Sequence, residues 1–385
     1  MGSMNTTARC AGQTHTPAEL GCTWVRTSLV CWLTALSTSA AAADAGSESL
    51  RRSFAAAVAQ GFAGEVLVGD LQRVHFHAVA GLAQRQPAQP HVAGQVWRWA
   101  SVSKQVAAAL VMREVDAGRV DLDRPLSRYL PSFKGPSAER ITVRHLLQHL
   151  SGLPNPDDTP AGPDSIPGFY AAGGPQALAF CAGAPRREPA VEFNYNNCDT
   201  LLVGELLAQV SGTPYARWVQ QQLATPLQLK TLRLADDRNP PRARAMAYDA
   251  RGAPVPQPLL SRFGAAGALE GSAPDLLAWD RALMSGRLVS PAGLRTLWAG
   301  DPKWGYVALG AWGFEAQLAG CAQPVQLVER RGDVGGIQVR NILAPALGMA
   351  VIVFTNLAEW EFGEVWQGKG FTHELLSAAL CKPPR

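Results

Sequence analysis

Residues 99–104 read Trp99-Ala100-Ser101-Val102-Ser103-Lys104, and the chain continues Gln105-Val106-Ala107-Ala108-Ala109-Leu110-Val111-Met112. Lysine is scarce: of 35 basic residues only those at 104, 134, 230, 303, 369 and 382 are Lys. Lys104 alone has a serine three positions before it. On a helix, residues three apart share a face, so the Ser101 hydroxyl and the Lys104 amine are expected to meet. Ordinary capping produces the same spacing on many helices. Here the apolar run behind Lys104 carries no carboxylate, which favours a buried amine of lowered pKa that can act as a base. A serine beside such an amine is an activated nucleophile. Ser101 also sits where a strand-like segment gives way to the helix, so unpaired N–H groups and the positive dipole end face any developing oxyanion.

Two further segments carry candidate chemistry. Glu192-Phe193-Asn194-Tyr195-Asn196-Asn197 offers Tyr195 as a proton shuttle, if cations lower its pKa from about 10. Asn197 is offered as an amide that hydrogen-bonds both a substrate carbonyl and Lys104. Val328-Glu329-Arg330-Arg331-Gly332-Asp333-Val334-Gly335-Gly336 reads as a turn between two strands, placing the Arg330 cation and a backbone N–H along a cleft.

In this order the three segments resemble the penicillin-recognising serine hydrolases, with their S-x-x-K, Y-x-N and K-T-G motifs. The class C β-lactamase, esterase and D-peptidase branch is the nearest in style. Gly118–Pro131, Ile141–Pro154 and Gly264–Gly267 are also similar to that family, so the resemblance runs from about residue 55 to about 380. It implies an α/β (α+β) fold of the β-lactamase/transpeptidase type. An antiparallel sheet would form from both chain ends, flanked by helices, with a mainly helical inserted lobe. It implies Ser101 as nucleophile, Lys104 as general base and Tyr195 as proton relay to the leaving group. Asn197, Arg330, Gly332 and Asp333 would bind substrate, the N–H groups of Ser101 and Asp333 forming the oxyanion hole. The chain departs from the family at Arg330, where Lys or His is usual, and at Arg331, where a small residue is usual. Arg330 is expected to grip a substrate carboxylate bidentately, and Arg331 to narrow or redirect the pocket.

The implied activity is acyl-enzyme hydrolysis of a β-lactam, ester or D-amide carbonyl. The alternatives are a cell-wall D-alanyl-D-alanine carboxypeptidase or D-aminopeptidase, and a penicillin-binding sensor without turnover. No cofactor or metal is expected. The expected partner is a small-molecule or short-peptide substrate, bound by a monomer. His145 and His149 stand one turn apart but lack the Glu of a zinc helix, and His75 and His77 read as a solvated strand face. Trp304 and Trp312 are candidates for lining the cleft.

Bulk properties agree with a buried globular domain: 385 residues, 47% hydrophobic and 17% charged. A net charge of +4 without a dense basic run gives nucleic-acid binding no support. Residues 1–43 read as a leader. Arg26 precedes a short apolar run, Leu29–Leu36, and then Ser37–Ala43, the layout of a secretory signal peptide. The run is too short to span a bilayer, so a periplasmic or secreted protein without stable membrane insertion is expected. Cys181, Cys198, Cys321 and Cys381 remain after the leader, compatible with two disulfides. Cys181–Cys198 and Cys321–Cys381 is one pairing among those open. Residues 44–385 are expected to form a single catalytic domain. Its sheet lobe would occupy about 50–100 and 300–385, and its helical lobe about 105–295.

Overall fold

The structure is a computed structural model describing residues 46–241 and 244–381; the predicted leader lies outside them. Helical backbone over 46–59 (α1) precedes a hairpin of β1 (Gly64–Asp70) and β2 (Val74–Ala80). The small strands β3 (Leu82–Gln84), β4 (Gln89–Pro90) and β5 (Val96–Arg98) lead to helix α2 (Val102–Asp116). The middle of the chain holds α3 (Val143–Leu147), α4 (Ala177–Cys181), α5 (Asn197–Ser211), α6 (Tyr215–Val219), β6 (Arg233–Leu234) and α7 (Gly264–Gly267). Then come β7 (Leu269–Ser272), α8 (Ala273–Met284) and α9 (Pro291–Trp298). The chain returns through β8 (Trp312–Ala316), β9 (Val325–Val334), β10 (Ile337–Ala344), β11 (Met349–Thr355) and α10 (Phe371–Leu380).

The main sheet runs β2-β1-β11-β10-β9-β8 and is antiparallel throughout. It therefore joins the first strands to the last ones, as the sequence implied. Both faces are covered. Leu67, Val328, Val339, Ile352 and Phe354 belong to a core shared with α2 and α8. Val66, Val68, Leu327, Ile342 and Val353 belong to a second core with Leu50 of α1 and Leu375 of α10. The period-2 alternation of strand side chains separates these sets.

Two expectations change. The third motif is not a turn: Arg330–Val334 continue β9, and the hairpin is Gly335-Gly336. Both glycines have positive φ, +56° and +75°, as a two-residue hairpin of matching twist requires. His145 and His149 do not share a helix: α3 ends at Leu147, and His149 adopts φ +59° just beyond its end. His145 instead completes a capping box with Thr142. The sulfurs of Cys181–Cys198 and of Cys321–Cys381 are bonded, the first bridge tying α4 to the opening turn of α5.

Candidate active site

Three elements bring the candidate residues together. β5 pairs with β7, and Trp99 N–H donates to Leu269 O (2.9 Å) before Ala100 reverses the chain at φ +44°. A left-handed alanine carries strain of about 1 kcal/mol or more, stored where the strand hands over to α2. Ser101 stands at the N-cap position of that helix, and Lys104 lies one turn inside it at 1% exposure. The segment before α5 supplies Tyr195, the first residue of α5 is Asn197, and β9 supplies Arg330, Gly332 and Asp333.

Ser101 Oγ lies 3.2 Å from Lys104 Nζ and 2.6 Å from Tyr195 Oη. Lys104 Nζ also donates to Asn197 Oδ1 (2.6 Å) and Ala266 O (2.7 Å). Those two oxygens can only accept. An uncharged amine that donates to both keeps its lone pair for Ser101, whose hydroxyl can turn to donate. Burial lowers the Lys104 pKa, and nearby Arg330 adds to the effect although Tyr195 opposes it. For Tyr195, burial pushes the phenol up. The Arg330 cation, the charge of Lys104 whenever that amine is protonated, and hydrogen bonds from Lys104 and Ser101 outweigh it and leave the phenol below its usual range. Both bases are thus tuned toward neutral pH by the same cluster.

Arg330 does not reach into the Ser101 cavity. It is buried, with Nε donating to Ser101 O (2.9 Å) and Nη2 to Tyr195 Oη (2.7 Å). Its guanidinium lies between the rings of Tyr195 (5.2 Å) and Trp312 (5.1 Å). The expected grip on a substrate carboxylate is replaced by a grip on the site itself. Arg331 is likewise not in the pocket. The pleat turns it to the opposite face, where it pairs with Glu329 and Glu364. Gly332 is needed for close approach, since a Cβ there would lie 2.9 Å from Ser101 N and 3.0 Å from Ala100 Cβ.

Asp333 lines the same cavity as Ser101. Val334 and Ile337 flank the two-residue hairpin, so alternation turns the Asp333 N–H away from β10. β8 pairs with β9 only as far as Glu329, leaving that edge open for the N–H. Asn197 differs from expectation. Its Nδ2 donates to Asp157 Oδ1 (3.0 Å) and Tyr170 Oη (2.8 Å), so both ends of the amide bind protein.

The cavity at Ser101 measures about 350 Å3. Much of its wall comes from the loops around 155–174 and 235–264. Trp304 and Trp312 do not line it. Trp312 underlies Arg330 and faces a larger cavity of about 1070 Å3.

Several supporting residues had no signal in the sequence. Asn155 accepts from Asn197 N–H (3.2 Å) and donates to Tyr195 O (3.1 Å), bracing the segment from behind. His149 packs against Tyr195 at a tilt of 54°, with ring centroids 4.6 Å apart. Its Nδ1 lies 3.2 Å from Asp199 Oδ2, and Asp199 also accepts from Ser151. Burial raises the Asp199 pKa far above the usual carboxylate range and lowers that of His149.

The sequence model of the Beta-lactamase family matches residues 50–368. The chain belongs to the beta-lactamase family. Among its relatives, the D-alanyl-D-alanine-carboxypeptidase/endopeptidase AmpH of Escherichia coli (strain K12) is 28% identical over 197 residues, 49% of each chain. Esterase EstB of Burkholderia gladioli is 38% identical over 82 residues, 20% of this chain and 21% of EstB. The chain spans about half the length of AmpH and less of EstB. The D-amino acid amidase of Ochrobactrum anthropi SV3 superposes with a TM-score of 0.70 at 21% identity, covering 86% of this chain and 98% of the amidase. That likeness is one of fold: the beta-lactamase/transpeptidase-like arrangement of an antiparallel sheet with flanking helices.

Proposed function

We propose that this protein is an exported, cofactor-free serine hydrolase that works through an acyl-enzyme on an ester, β-lactam or D-amide carbonyl. The observation that carries the reading is Ser101 Oγ held between Lys104 Nζ and Tyr195 Oη at 3.2 and 2.6 Å. Ser101 passes its proton to the Lys104–Tyr195 pair as Oγ bonds to the carbonyl carbon. The oxyanion forms against the N–H groups of Ser101 and Asp333, the kind of donor pair that dominates acyl-transfer catalysis. The bond to the leaving group then breaks, and Tyr195 returns the proton to that group. Water adds to the acyl-enzyme with the same pair taking its proton, and Ser101 is restored as the acid departs. Arg330 keeps Tyr195 acidic and fixes Ser101 O. Export is supported by the leader-like residues 1–43 and by two disulfides, which persist in oxidising compartments.

Ester hydrolysis ranks first, because it makes the least demand on a site without a free carboxylate-binding cation. A D-peptidase reading ranks second, supported by the AmpH relationship. Fluorophosphonate labelling of the intact protein tests the mechanism. Ser101→Ala and Lys104→Ala are each expected to abolish labelling, and unchanged labelling of either would refute it. A chromogenic cephalosporin, short-chain nitrophenyl esters and a D-Ala-D-Ala peptide, compared side by side, rank the carbonyl types.

A further inference from the structure

The charged residues lining the Ser101 cavity are of one sign only. Asp157, Asp164 and Asp333 line it, and among the described residues no Arg, Lys or His does. The β9 pleat turns the Asp333 carboxyl to the Arg331 side, so Asp333 meets the cavity through its backbone and the side-chain charge comes from Asp157 and Asp164. The two cations nearest the reacting atoms are Lys104 and Arg330, both 1% exposed. Lys104 binds Ser101, Asn197 and Ala266, and Arg330 binds Ser101 O and Tyr195. Neither presents a charge to the cavity wall. Asp157 accepts from two neutral groups, the Asn197 amide and the Tyr170 hydroxyl, so its charge meets no cation in these contacts. The remaining wall is apolar, formed by Tyr170 and Phe263, stacked at 3.9 Å, with Val255 and Pro258.

From this we infer that the cavity selects substrates bearing a cationic group, of the alkylammonium kind, on a short apolar stem, and discriminates against substrates bearing a carboxylate. The inference rests on the acyl-enzyme reading above and supplies its substrate class. A carboxylate entering this cavity meets the like charges of Asp157 and Asp164 and, among the described lining residues, no compensating cation. An ammonium is attracted by both carboxylates while its stem covers the aromatic wall. Charges held at the wall of a cavity interact more strongly than charges in bulk water, though salt weakens them, so charge can set a ranking of about tenfold. The volume of about 350 Å3 limits the substrate to a small ester or amide.

Matched esters test this on the whole protein. One set comprises the 4-nitrophenyl esters of 4-(trimethylammonio)butyrate, its neutral isostere 5,5-dimethylhexanoate, and glutarate as monoester. A second set places the charge on the leaving group, comparing butyrylthiocholine with the butyryl thioester of 3,3-dimethylbutanethiol. In at least one set kcat/KM for the cationic member should exceed its neutral isostere by about tenfold, with the glutarate ester lowest. Asp157→Asn and Asp164→Asn should each shrink that cationic-to-neutral ratio by about threefold or more. If Asp157→Asn does not fold, Asp164→Asn carries the same readout. Equal rates for cationic and neutral members in both sets would overturn the inference, as would a preference for glutarate or ratios unmoved in every Asp variant. Failure of the acyl-enzyme reading looks different: no ester is turned over and fluorophosphonate does not label Ser101, which sinks both.

Discussion

Arg330 and Arg331 are neighbours in sequence and strangers in space. Arg330 lies on the face of β9 that meets α2, beside Ser101 O, Tyr195 Oη and the Trp312 ring. Across the ladder it faces Asn341, which donates to Gln105 of α2 and Asp280 of α8. Arg331 lies on the other face, bonded to Glu329 and Glu364, with Trp366 against its guanidinium and Arg340 opposite on β10. Arg340 also pairs with Glu329. One face therefore holds a cation next to a tuned phenol and a nucleophile, while the other holds cations and carboxylates that compensate one another. The lesson is that charge in a strand motif has to be read one pleat at a time. The same residue type one position apart serves the reacting atoms in one case and the sheet in the other.

The sharpest break of that comparison is Arg330→Ala. It removes the partner of Tyr195 Oη and of Ser101 O together and lets the phenol rise toward its ordinary pKa. A loss in kcat/KM of about 10²-fold or more is expected, the scale of losing one preorganised electrostatic contact at an acyl-transfer centre. The loss should fall alike on neutral, cationic and carboxylate-bearing esters. A loss confined to carboxylate-bearing esters would instead make Arg330 a substrate ligand, as its sequence position suggested.

That misplacement shows what the sequence could carry. Ser101 and Lys104 are three residues apart on one helix, and Tyr195 and Asn197 flank one helix start. Local geometry therefore fixes each pair, and both were legible. The sheet was legible too, because alternating apolar residues at both chain ends have to find one another to cover two faces. Arg330 was assigned to a turn because Gly332, Gly335 and Gly336 all read as turn residues. Only the structure separates the glycine needed for contact with Ser101 from the two that make the hairpin. Asn155, Asp157, His149 and Asp199 come from segments about forty to fifty residues away from their partners. A contact of that range leaves no period or spacing in the chain, so nothing local announced it.

Asp280 sharpens the comparison on the Arg330 face, where buried polar groups are not all compensated. It is fully buried and accepts from Asn341 Nδ2 (2.9 Å). Burial pushes its pKa up to about 8, the Asn341 hydrogen bond opposing. The folded pKa lies above the unfolded one, so the folded protein holds a proton that the unfolded chain has released between about pH 4 and 8. Stability from this group is complete below that window and falls as pH rises through it. Asp280→Asn keeps an acceptor for Asn341 and has no proton to lose. Its stability relative to the parent should improve by up to about 1.4 kcal/mol per pH unit across the window. Denaturant midpoints at pH 4.5, 6 and 7.5 check the trend, taken with about those spacings. A constant difference would mean that Asp280 titrates normally.

The smallest effect belongs to Arg331→Ala, and its smallness is the point. Arg331 is one-third exposed, and the Glu329 carboxylate that it shares stays held by Arg340 at 2.6 Å. Glu364, itself about one-third exposed, can return to water. The variant thus leaves no buried charge unpaired, which is what makes losing an ion pair severe. A stability loss of about 1 kcal/mol is expected, the upper range for partly exposed pairs, with some of it from lost packing of the Arg331 stem on Trp366. The kcat/KM and the order of preference among neutral, cationic and carboxylate-bearing esters should stay within about twofold, because nothing on this face reaches Ser101. A changed order of preference would show that the two faces of β9 communicate. The separation by pleat would then have to give way to a coupling through the strand backbone between Glu329 and Gly332.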